Sequence, residues 1–105
     1  MTGDTLSNNE KIKFNAFYDK ANELIKDKIS RKEQVKQFTA MDQIELAEAI
    51  AFLKECLKIH PASWQSMWAI GLASQMLGES ADALEWMNRA YKINPAIKTM
   101  FKNQS

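Results

Sequence analysis

With 105 residues the chain has room for one small hydrophobic core and no second domain. Apolar residues are 46% and charged residues 26%, which excludes a disordered or collagen-like chain, and three Gly and two Pro are too few for the turns of a β-sandwich or barrel. Lys and Arg exceed Asp and Glu by 14 to 13, so a formal charge of +1 provides no global field toward nucleic acid or an acidic membrane.

The elements predicted in chain order are all helices. Residues 1–7 are small and polar and read as a flexible N-terminus. Ile12, Phe14, Phe17, Tyr18, Ala21, Leu24 and Ile25 then recur at three- and four-residue steps, which predicts an amphipathic helix over 8–28. Ser30 and Glu33 have the spacing of a capping box, so a new helical segment carrying Val35 and Phe38 is expected to start there. From Thr39 to Ile59 there is no Gly or Pro, and Leu46, Ala49, Ile50, Leu53, Cys56 and Leu57 form a wide apolar stripe that Pro61 terminates. With no turn signal between Phe38 and Leu46, residues 30–59 read as one bent helix or as two. A third helix is predicted over 62–77, ended by a left-handed Gly78. Ser80 is expected to cap a fourth that runs to Ile93 and stops before Pro95. Within it Glu85 and Arg89 are placed for an ion pair worth about 0.3 kcal/mol. Residues 96–101 are expected to form a short helix over the end of the stack.

The strongest signal is a repeat. Ile59-His60-Pro61 returns as Ile93-Asn94-Pro95 after a period in the range of helical-hairpin repeats. Ala49, Leu53 and Cys56 precede the first proline by the same offsets at which Ala83, Met87 and Ala90 precede the second. A two-helix unit that ends in a proline and recurs with this period resembles the tetratricopeptide repeat (TPR). Residues 64–95 carry the likeness best. Trp64, Ile70 and Gly71 match the first helix of that motif, Gly78 its turn, and Ala83, Met87, Ala90 and Pro95 its second helix. Small residues at Gly71, Ala83 and Ala90 let helices approach closely. Ser74 stands where the family has an aromatic, and the preceding unit matches only in its second helix, over 47–60.

The expected fold is therefore all-α, with TPR-like antiparallel hairpins amounting to about one and a half repeats. The units span about 30–61 and 62–95 within a single domain over 8–105, with the helix over 8–28 as an N-terminal cap. Two repeats fall short of the three that usually bury a continuous core, so the ends must be covered by that helix and by residues 96–101, or by self-association.

The resemblance implies a module that binds other proteins along the face built from the first helix of each pair. On the third helix that face is Gln65, Trp68, Leu72 and Gln75, one stripe at helical spacing, bordered by Trp64. Trp64 and Trp68 read either as a binding hot spot or as ordinary core. The positions that hold a terminal carboxylate in chaperone-binding relatives are here Gln65, Trp68, Ala69 and Leu72, which offer no cation, so the groove is expected to take an apolar helix or peptide.

No catalytic site, metal site or cofactor is expected. His60 has no second His or Cys near it in sequence, Cys56 fills the small-residue slot of Ala90 and reads as a buried inert thiol, and phosphate-binding Gly-rich loops are missing. Asp42, Glu45 and Glu48 read as a solvated acidic face. Lys26, Lys28, Arg31, Lys32 and Lys36 form a basic cluster that carries the minor alternative of nucleic-acid binding. The uncharged run over 59–78 holds His60, Pro61, two Gln and three Ser, too polar for a membrane span. A lone Cys and no apolar leader point to the cytoplasm. The expected function is a non-enzymatic adaptor or chaperone, with a self-associating homodimer as the alternative.

Overall fold

The computed structural model describes residues 7–32 and 38–97. These form four helices and no strand: α1 (Asn8–Lys32), α2 (Ala40–Ile59), α3 (Trp64–Met76) and α4 (Ser80–Ile93). None of them is long and apolar enough to cross a membrane.

Each helix starts or stops where its local chemistry demands. A reciprocal capping box opens α1: the Glu10 amide donates to Ser7 Oγ at 3.1 Å, and the Ser7 amide donates to Glu10 Oε1 at 3.0 Å. It then runs unbroken past Ser30, so the predicted helix start at Ser30 does not occur; residues 33–37 lie outside the described part. The real start of α2 is Thr39, whose hydroxyl accepts from the Asp42 amide while Asp42 accepts from the Thr39 amide. The chain leaves α3 through a left-handed Gly78 at φ 83°, as expected. There the Glu79 amide donates to the Ser74 carbonyl at 2.9 Å and the Gly78 amide to the Gln75 carbonyl at 3.0 Å, the paired bonds of a Schellman ending. That turn leads so directly into α4 that Glu79 takes the N-cap position, without a side-chain bond, and Ser80 is already helical. Ser80 is therefore not the cap that the sequence suggested.

The helices pack in chain order, α1 on α2, α2 on α3 and α3 on α4, and α1 also touches α3. Lys28 near the end of α1 reaches Glu45 near the start of α2, while Cys56 Sγ lies 3.6 Å from the Phe14 carbonyl, so α1 and α2 are antiparallel. Gly71 meets Ala83 and Met87, and Trp68 meets Tyr91, so α3 and α4 are antiparallel too. Ala21 and Ile25 of α1, Leu46, Ala49 and Leu53 of α2, and Ala69, Ile70 and Ala73 of α3 share one core. Met67, Ala90 and Ile97 form a second, flanked by Trp64, Trp68, Trp86 and Tyr91. Ile97 is fully buried; the remainder of the expected end helix lies outside the described residues, as do residues 1–6.

The ends of α2 and α4 share one backbone geometry. His60 ends α2 at φ −135°, ψ 86°, and Asn94 ends α4 at φ −132°, ψ 86°. Their amides donate to Cys56 and Ala90, and their carbonyls accept from Ser63 and Ile97, so each bond returns one repeat later. The first helix of the earlier pair escapes the register: α1 already starts at Asn8. The helix paired with α2 is α1, not a segment that begins at Ser30.

Candidate functional site

Because α1 and α3 both lie against α2, their free faces flank a groove. Its floor is Ile25 and Ala69, both buried. Tyr18, Asn22, Lys26 and Ile29 form the α1 wall, and Trp64, Gln65, Trp68 and Leu72 the α3 wall; the volume is about 290 Å³. Tyr18 and Gln65 also line an adjoining lobe of about 330 Å³ with Phe14, Asn15, His60 and Ser63. The two lobes share these two lining residues and follow one another along α1; trough denotes the pair. It follows α1 from Phe14 to Ile29, a helical length of roughly 22 Å.

Four of the five binding residues read from the sequence, Trp64, Gln65, Trp68 and Leu72, are brought together here. Gln75 is not; it lines a separate depression with Ser80, Ala83, Leu84 and Met87 at the α3–α4 turn. The sequence reading missed the whole α1 wall, since Tyr18 and Ile25 were read as part of the apolar stripe of a capping helix over 8–28, which stops short of Ile29. Ile29 is in fact exposed.

The tryptophans fall between core and surface. Both are half-buried and pack against the second core, and the Trp68 ring lies 5.6 Å from that of Tyr91. Each also lines the trough. In the lobe beyond them, Phe14 stacks on Tyr18 at 5.8 Å and meets His60 edge-on at 6.1 Å. Ser63, which caps α3, is held by a 2.9 Å contact between its hydroxyl and that of Ser66.

The other sequence candidates resolve differently. Cys56 is buried, and burial pushes its thiol up to about 11 although the Ser66 hydroxyl opposes the shift. A protonated thiol is a poor nucleophile, so native Cys56 is expected to react with a disulfide reagent at mildly alkaline pH only as fast as the chain unfolds. The linkage has a definite sign: a raised folded-state pKa stabilises the fold below the ordinary value of 9.0, and this contribution is lost as the pH climbs through about 11. Urea midpoints measured across that window should fall less steeply for Cys56→Ala. Among the described residues, no group of three or more His, Cys, Asp and Glu is arranged to hold a metal.

Lys28 is no surface cation. It is buried at the α1–α2 contact, with its Nζ 2.9 Å from Asp27, 3.5 Å from Asp42 and 2.5 Å from Glu45. Burial disfavours the ammonium, but Glu45 and Asp27 outweigh it and hold its pKa above the usual lysine value. The basic cluster read from the sequence thus loses its centre to the carboxylates read as an acidic face. Of the latter, Asp42 is buried and Glu45 half-buried, and only Glu48 is exposed. No protein-family model, curated protein or solved structure matches the chain.

Proposed function

We propose that the protein is a non-enzymatic, TPR-like binding module, a small adaptor or chaperone that holds an apolar helical or peptide segment of another protein in the α1–α3 trough. The reading rests on one observation above all: two helices that run the same way, each backed by an antiparallel partner, leave Tyr18, Ile29, Trp64, Trp68 and Leu72 around an open channel. The matching helix endings at His60 and Asn94 support the TPR-like part, with α1 as the first helix of the earlier hairpin rather than a cap. The length of the trough matches a ligand helix of about four turns. Half-buried tryptophans at its centre have the character of binding anchors. Cys56, the one thiol of the chain, is buried, lines neither lobe, and is pushed up to about 11 by burial. A cytoplasmic setting belongs to the same proposal and rests on that lone reduced Cys.

The test is selection from a displayed library of amphipathic helical peptides of about 15 residues. Selected peptides should bind the native protein and lose most of their affinity for Trp68→Ala. This variant should keep the fold, losing less than about 2 kcal/mol in urea denaturation, because the ring is only half-buried. A loss of roughly 3–5 kcal/mol, that of a core tryptophan, would assign Trp68 to structure alone. Peptides that bind both forms equally would place recognition elsewhere.

A further inference from the structure

The charge lining of the trough is one-sided. Helix α3 contains no charged residue, and the stripe of α1 that faces the trough carries Lys26 and no carboxylate. The acidic residues of α1, Glu10, Asp19, Glu23 and Asp27, line neither lobe. Asp27 is committed to Lys28, whereas Lys26 forms no ion pair among the described residues. Lys26 stands on the trough wall between Asn22 and Ile29, facing an apolar floor. An ion pair at the edge of such a surface is less screened than one in open water.

We infer that the natural occupant is an amphipathic segment of a partner protein that combines an apolar stripe with one carboxylate side chain set against Lys26. This rests on the trough being the binding site and adds the chemistry of its ligand. The apolar stripe supplies affinity by filling the space between Ile25, Trp68 and Leu72. The carboxylate fixes the register, because Lys26 is the one Lys or Arg among the residues that line the two lobes. A second copy of this chain and a basic segment are the competing occupants.

The experiment is a charge swap. Peptides selected on the native protein should carry Asp or Glu at one fixed position relative to their apolar stripe. Lys26→Glu should weaken such a peptide roughly fivefold, and replacing that acid by Lys should recover the loss on Lys26→Glu alone. Raised salt should shrink both effects. Selected peptides that need Trp68 but show no acidic preference, or that bind Lys26→Glu unchanged, would overturn the carboxylate inference and leave the trough standing. Light scattering that finds a stable dimer with no peptide bound at the trough would overturn both. Lys26 is exposed, so its replacement leaves the folded core intact, which circular dichroism would verify.

Discussion

Gly71→Leu is expected to abolish folding or to cost more than about 3 kcal/mol. A Cβ at this position would lie 2.7 Å from Met87 Cγ and 3.2 Å from the Ala83 carbonyl oxygen. The first neighbour lies next to the Met87 Cβ, so it moves only if that side chain takes another rotamer. The second is backbone of α4 and moves only if the helix moves. Leu adds three further carbons into the same gap, so α3 and α4 must part, and the second core, with Met67 and Ala90 at its centre, opens with them. Gly71→Ala separates the two neighbours. Its helix gain of roughly 0.5–1 kcal/mol offsets only part of the cost of moving Met87 Cγ and easing the Ala83 carbonyl, so it should destabilise the protein, by less than Gly71→Leu. In the Leu variant, Met87→Ala should restore part of the loss, a coupling that a double-mutant cycle in urea would measure. A Leu variant as stable as the native chain would mean that α3 and α4 do not meet at Gly71.

The second large effect belongs to Lys28. Replacing it by Met is expected to cost about 3 kcal/mol. Asp27 and Glu45 are exposed enough to recover water, so the penalty concentrates on Asp42. Asp42 is buried and also caps α2 through the Thr39 amide. Without the ammonium its charge loses a counter-charge, and the start of α2 loosens from the end of α1. Lys28→Met combined with Asp42→Asn removes both charges and should be more stable than Lys28→Met alone, since a neutral amide oxygen still serves the cap. The raised pKa of Lys28 gives the sign of the pH dependence: its stabilisation is complete below the ordinary lysine value of 10.5 and fades as the pH rises through the folded-state pKa. A Lys28→Met protein of native stability would show that the buried pair is dispensable.

Much of the fold is legible in residues whose meaning is local. Gly78 has no Cβ and ends α3; Pro61 and Pro95 mark the ends of α2 and α4; Gly71, Ala83 and Ala90 are small where helices touch. The Glu85–Arg89 pair, one helical turn apart, forms at 2.6 Å on the exposed face. Thr39 and Asp42 escape a sequence reading because the capping box usually has Glu or Gln in third place, and the false match at Ser30 stands nearby. The burial of Lys28 depends on Asp42 and Glu45, remote carboxylates that only the packing of α1 on α2 brings near. For the candidate site, spacing along α3 reveals one wall. Helical periodicity says which residues share a face, not which neighbour covers it, so the α1 wall and the departure of Gln75 emerge only in three dimensions.

The protein carries its own control for the central claim. Trp64 and Trp68 line the trough, while Trp86 sits on α4 beneath the Arg89 guanidinium, 4.6 Å from its ring centroid. Titration of a selected amphipathic peptide, followed through the three indole N–H resonances, should shift those of Trp64 and Trp68 and leave that of Trp86 in place. A shift confined to Trp86, or none in either trough tryptophan at saturation, would contradict the account.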